Sequence, residues 1–112
     1  MSNSILNTRL SHINRPVRPV ELPGGSTVHV RDVTLGELRR IDSMAEQVED
    51  ADERKIRGAL LLCAFALVEP DGTPLMPLAS GADLVEIEQS LTTSQIQAIC
   101  RAAVPPKADA KN

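Results

Sequence analysis

The stretch that decides the fold is Gly58-Ala-Leu-Leu-Leu-Cys-Ala-Phe-Ala-Leu-Val68, in which no side chain is charged. A helix that is apolar on all faces is stable only when other parts of the structure cover it on nearly every side. The stretch is also much shorter than the roughly 20 apolar residues that span a bilayer. We therefore predict that it forms the central buried helix of the fold. Four small residues along it would let neighbouring backbones approach closely, either within this chain or in a second copy, and we predict self-association through them: Gly58, Ala59, Ala64 and Ala66.

A β-hairpin is predicted upstream of this helix. Pro16 and Pro19 favour extended backbone from residue 17 to residue 22. Pro23-Gly24-Gly25 is a strong turn signal. In the next run, Ser26 to Val30, valines alternate with polar residues, which is typical of a strand with one apolar face.

A first helix is predicted to begin at Thr34, because Thr34 with Glu37 three residues later matches a capping box. Apolar side chains then recur at steps of three or four residues and form one stripe. These are Leu35, Leu38, Ile41, Ala45 and Val48.

The run from Glu46 to Arg57 is almost wholly polar. We predict a break between two helices near Asp50, with Asp50 and Glu53 as a further capping pair. A single helix over residues 35–68 is the alternative, since no Pro or Gly interrupts the chain before Gly58.

The remainder of the chain predicts a turn and two more helices. Pro70-Asp71-Gly72 is a turn signal that indicates a short hairpin or an extended loop. Two capping pairs open the third and fourth helices: Ser80 with Asp83, and Thr92 with Gln95. Pro105-Pro106 ends the last helix.

These elements predict a mostly helical α+β fold, in which an N-terminal β-hairpin is followed by about four helices around a central buried helix. With 112 residues the chain has room for one domain. We assign that domain to residues 16–104, with a flexible arm over residues 1–15 and a flexible tail over residues 105–112.

Composition and charge exclude several classes of function. Phe65 is the only aromatic residue, so the chain lacks stacking platforms for bases or sugars. The net charge is -3, and from Glu21 onward acidic side chains outnumber basic ones, a balance that repels a phosphate backbone. We expect no nucleic-acid partner, no membrane segment and a cytoplasmic location.

The pattern of reactive residues predicts a protein without catalysis, metal or cofactor. His29 and Asp32 would lie on opposite faces of a strand, which is unsuitable for a general-base pair. The residues that could bind zinc lack the short paired spacing of zinc sites: His12, His29, Cys63 and Cys100. The two cysteines also lack a CxxC spacing and lie apart in apolar helical segments, so we predict reduced, buried thiols.

One rival signal is the segment from Asp83 to Val104, which has the layout of a helix-turn-helix. Arg101 is the only cation near its supposed recognition helix, whereas readers of nucleic acid cluster several. Packing of two helices as a plain hairpin is favoured over DNA recognition.

Three apolar residues lie between prolines, in a segment that cannot easily continue as a helix or as a central strand. They are Leu75, Met76 and Leu78. Either they cover the core or they are exposed contacts, and we take them as the candidate partner-binding residues.

Taken in order, these features resemble a tail assembly chaperone of long-tailed bacteriophages. The resemblance covers residues 16–104. It is carried first by the hairpin and by the junction Val28-His-Val-Arg-Asp-Val-Thr-Leu-Gly-Glu-Leu38. It is carried further by the two closing helices and by the central helix leading into Leu67-Val-Glu-Pro-Asp-Gly-Thr-Pro-Leu-Met76. It is a likeness of layout, because the family has no catalytic signature.

The resemblance implies a non-enzymatic protein that binds the tape-measure protein, helps to recruit tail-tube subunits and is absent from the finished particle. Some members of that family are also made in a longer form by ribosomal frameshifting near the end of the gene. Where such a form exists, the resemblance implies that this chain is the shorter product. Two other functions stay open at this point: a helix-turn-helix DNA-binding regulator, and a structural connector retained in a phage particle.

Overall fold

The structure, a computed structural model, describes residues 15–104. In chain order its elements are β1 (Val17–Glu21), β2 (Thr27–Arg31), α1 (Leu35–Ala45), α2 (Ala51–Ala66), β3 (Leu67–Val68), α3 (Gly81–Ser90) and α4 (Thr93–Ala103). They confirm the mostly helical α+β fold with an N-terminal hairpin. Apart from Arg15, the arm predicted over residues 1–15 and the tail predicted over residues 105–112 lie outside the described residues.

The strands form one antiparallel sheet in the order β1-β2-β3. β1 and β2 pair along their whole length, with Glu21 opposite Thr27 beside the turn. Gly24 and Gly25 have φ angles of 102° and 100°, in the left-handed region that glycine adopts without a steric penalty. The predicted hairpin and its turn are therefore confirmed.

The central helix ends earlier than the apolar stretch, at Ala66. Leu67 and Val68 form β3 and pair with β2. The apolar pattern missed this end because a short buried strand and a buried helical turn have the same composition. The chain then turns at Pro70-Asp71-Gly72, and Val68 forms a bridge with Pro74, so the short hairpin is confirmed and the extended loop is not.

The predicted break between the first two helices is confirmed, and the alternative of one helix over residues 35–68 is wrong. Asp50 is the N-cap of α2, and its carboxylate accepts a hydrogen bond of 2.9 Å from the backbone N–H of Glu53. Arg54 donates to two backbone carbonyls of the connection, at 2.9 and 3.0 Å. These contacts satisfy polar groups that a continuous helix would have paired internally.

The apolar stripe predicted for α1 is wrong at both ends. Ile41 and Ala45 are buried, and Leu38 packs against the core. Leu35 is 65% exposed at the first position of α1, and Val48 lies beyond the end of the helix. Helical periodicity gives the direction of a side chain, but the neighbouring helix covers only part of the length of α1.

The core lies around α2, which packs against α1, α3 and α4. Its fully buried residues are Leu60, Leu61, Cys63, Ala64 and Ala66. Gly58, Ala59 and Leu62 are only partly covered. The central buried helix is thus confirmed for the second half of α2. Of the four small residues, two are buried within this chain, so the self-association prediction now applies to Gly58 and Ala59.

Candidate partner-binding surfaces

The three residues predicted to bind a partner lie in the loop after β3 but in different environments. Leu78 is 84% exposed and Leu75 is 45% exposed, whereas Met76 is partly buried and packs against the core. The N–H of Leu75 donates to the carbonyl of Leu67 at 3.2 Å, and the N–H of Ala79 donates to that of Met76 at 3.1 Å. Leu75 and Leu78 are therefore exposed and stay candidate partner-binding residues, while Met76 covers the core.

A cavity of about 130 Å³ opens beside this loop. Met76 and Leu78 line it together with Phe65 and Arg40. The guanidinium carbon of Arg40 lies 5.3 Å from the centre of the Phe65 ring, within the range of a cation–π contact. The cavity is smaller than the roughly 300 Å³ at which ligand pockets begin, so it suits a single side chain of a partner.

Ionic contacts fix the start of α1 beside the sheet. The Oε2 atom of Glu37 lies 3.1 Å from Nη2 of Arg15 and 3.9 Å from Nη2 of Arg31. Burial lowers the pKa of Arg31; the nearby charge of Arg15 lowers it further and that of Glu37 opposes this. The other carboxylate oxygen of Glu37 accepts from the N–H of Thr34 at 3.0 Å. The charges of Arg15, Arg31 and Glu37 are therefore explained by their contacts with one another within the fold.

A larger groove, which we term the α2 groove, runs along residues 53–60 of α2 beside α3 and α4. It consists of a cavity of about 330 Å³ and an adjoining one of about 100 Å³, which share Ile56, Leu60 and Glu88 as lining residues. The larger cavity is completed by Lys55, Ala59, Leu91, Thr93, Ile96 and Gln97. Ile56 is 48% exposed, and Val85, which lines the smaller cavity, is 49% exposed. The larger cavity is thus a mainly apolar surface that the described chain leaves uncovered, whereas Glu53, Arg57 and Glu88 make the smaller one more polar.

Charged side chains border the α2 groove. Glu53, Lys55 and Arg57 belong to α2 and Glu88 to α3, and all four are exposed. This surface was not predicted from the sequence. The available signals were an isoleucine, Ile56, inside a charged run and a valine, Val85, next to Leu84 in α3.

Asp32, which the sequence places three residues after His29, has an arginine as its partner in the structure. Its carboxylate accepts a hydrogen bond of 2.7 Å from the guanidinium of Arg18. Within residues 15–104, no group of three or more His, Cys, Asp or Glu could hold a metal ion. In the same part of the chain, no helix combines the length and apolarity needed to cross a membrane.

The pair formed by α3 and α4 has the tight connection of a helix-turn-helix, since Leu91 and Thr92 alone join the helices. On α4, Ile99 and Ala103 are buried in the core, and Arg101 is exposed in the last turn. Comparisons with protein-family models, curated proteins and solved structures find no match. The α2 groove and the loop carrying Leu75 and Leu78 are the surfaces on which a function can be argued.

Proposed function

We propose that this chain is a non-enzymatic tail assembly chaperone of a long-tailed phage, and that its α2 groove holds an amphipathic helix of the tape-measure protein. The observation that carries the proposal is the uncovered, mainly apolar cavity of about 330 Å³ between α2, α3 and α4. The resemblance in layout to the chaperone family supplies the identity of the client.

The lining of the α2 groove suits a helix more than a small ligand. Ile56 and Leu60 lie one turn apart on α2, and Ile96 on α4 lines the same cavity. A helix that presents apolar side chains at three- and four-residue spacing can contact such a row along its length. Aliphatic walls without aromatic rings adapt to different client side chains, as a chaperone requires.

Charge on the border of the groove favours one kind of client helix. Lys55 and Arg57 on α2 attract acidic side chains, whereas Glu53 on α2 and Glu88 on α3 attract basic ones. A client helix with charges of both signs beside its apolar face is therefore expected.

Leu75 and Leu78 provide a second contact in this proposal, for a tail-tube subunit recruited to the complex. Replacing both with serine is expected to weaken recruitment without changing the helical circular dichroism, because Leu78 is largely exposed, Leu75 is nearly half exposed and neither lies in a helix. The chaperone acts in the host cytoplasm during assembly and is absent from the finished particle.

The test is co-expression of the chain with the long helical protein encoded beside it, with solubility and co-purification of that protein as readouts. The variant pair Ile56→Asp with Val85→Asp places charges in the α2 groove. Ile56 and Val85 are each about half exposed, and binding of the client would bury that exposed half, which contributes about 1 kcal/mol for each side chain. Loss of both contributions weakens binding roughly 30-fold. Leu35→Asp is the matched control, because Leu35 is exposed outside the groove.

We expect the wild-type chain and Leu35→Asp to keep the client soluble, and the groove variants to lose it while retaining their circular dichroism. Failure of the wild-type chain to rescue or bind the client would contradict the chaperone function. Full rescue by the groove variants would contradict the assignment of the groove. Recovery of the chain from purified virions would favour a structural connector, and salt-dependent binding of duplex DNA would favour a regulator.

A further inference from the structure

The fold brings together two cysteines that the sequence analysis placed apart. Cys63 on α2 and Cys100 on α4 have their Sγ atoms 3.9 Å from each other. Each thiol also approaches a backbone carbonyl of the opposite helix: Cys63 that of Ile96 at 3.8 Å, and Cys100 that of Ala59 at 3.6 Å. Both cysteines are free thiols, so this is a dithiol across the packing of two helices.

The two cysteines differ in exposure to solvent. Cys63 is fully buried, with 0% exposure, whereas Cys100 is partly exposed. A hydrogen bond from Cys63 lowers the pKa of Cys100, against the effect of burial. The same bond, together with burial, raises the pKa of Cys63. Cys100 is therefore the more exposed cysteine and the one that ionises first, which are the requirements for a reacting cysteine.

We propose that Cys63 and Cys100 form a reversible intramolecular disulfide, with a hydroperoxide as the oxidant. The thiolate of Cys100 attacks the terminal oxygen of the peroxide, so the O–O bond breaks and a sulfenic acid forms on Cys100. The other oxygen leaves as water or an alcohol after taking a proton. Cys63 then attacks the Cys100 sulfur, an S–S bond replaces the S–O bond, and a second water leaves with the proton of Cys63. Two electrons pass from the sulfurs to the peroxide.

The geometry requires a small movement. The sulfurs must approach from 3.9 Å to a bond length of about 2.05 Å. Side-chain rotation and a slight approach of α2 to α4 can supply this change. Ala59 and Ile96, which accept contacts from the thiols, also line the α2 groove, so the cross-link would fix the spacing of two groove walls. In a reducing cytosol the dithiol is the resting form.

The experiment treats the folded full-length chain with hydrogen peroxide and follows intact mass, free thiols and peptide maps. We expect a loss of two hydrogen atoms, disappearance of both thiols, a peptide joining residues 63 and 100, and full reversal by dithiothreitol. Cys100→Ala should leave Cys63 unreactive because it is buried. Cys63→Ala should leave a sulfenic acid on Cys100 that dimedone captures.

Thiols that stay free in the folded wild-type chain, or disulfides formed only between chains, would overturn the proposal. So would a cross-link that appears only when urea unfolds the protein. The wild-type result decides the question even where a variant fails to fold. Because mass and thiol content do not depend on a client, this result is independent of the proposed chaperone function.

Discussion

Truncation of Leu61 tests whether the second half of α2 is the centre of the fold. Leu61 has 0% exposure and belongs to the core cluster. Leu61→Ala removes three carbon atoms, which corresponds to about 2.4 kcal/mol at about 0.8 kcal/mol for each buried carbon. The cavity left behind increases the loss to about 3 to 4 kcal/mol of the free energy of unfolding. For a domain of this size, Tm should fall by roughly 12 to 30 °C.

Leu62→Ala is the matched control, because it makes the same chemical change at the next position of α2, where the side chain is only partly covered. We expect a loss of about 1 kcal/mol there, in proportion to the smaller buried area. Urea unfolding followed by circular dichroism measures both variants. Equal losses for the two variants, or a loss below about 1 kcal/mol for Leu61→Ala, would refute the placement of Leu61 in the core.

Three further predictions concern backbone conformation and charge. Gly25→Ala should destabilise the protein by about 1 kcal/mol, because φ at this position is 100°. Gly58→Ala should stabilise it by up to about 1 kcal/mol, because Gly58 lies in a helix and the added methyl group meets no atom within 4 Å. Thermal melts of the two variants should therefore shift in opposite directions. Asp50→Ala removes the N-cap of α2 and should cost about 1 kcal/mol in urea unfolding; no loss would show that the cap does not stabilise the helix. The carboxylate of Asp71 accepts a hydrogen bond from the backbone N–H of Thr73, which lowers the pKa of Asp71 below its ordinary value of 3.8. Its contribution to stability is therefore complete above that pH and lost as the pH falls through the lowered pKa, and an NMR titration of Asp71 at or above 3.8 would contradict this.

Features set by neighbouring residues could be predicted from the sequence. The capping boxes of Thr34, Ser80 and Thr92 depend on a side chain and a backbone amide three residues away, and all three are present. The hairpin turn depends on glycines with positive φ. Such interactions need no knowledge of the rest of the fold, so sequence reasoning located the starts of helices more reliably than their ends.

Features set by distant parts of the chain could not be predicted in this way. Leu67 and Val68 are strand residues because β2 lies beside them, and Leu35 is exposed although it follows the helical spacing of Leu38 and Ile41. The approach of Cys63 to Cys100 depends on how α2 packs against α4. Periodicity identifies the apolar side of a helix, but the partner that covers it is fixed by packing.

The α2 groove lies along the first part of α2 because the other elements cover that part less completely than the second part. The apolar character of Gly58–Val68 indicated that a small domain would not cover the whole stretch. In the structure the sheet and the other helices enclose the second half of this apolar stretch. The less covered surface therefore lies at the beginning of the stretch, at Gly58 and Ala59, and extends to Ile56. There α3 and α4 leave the α2 groove between them. A helix of a client and a second copy of the chain would compete for this surface, so a client that binds in the groove should also keep the chain monomeric.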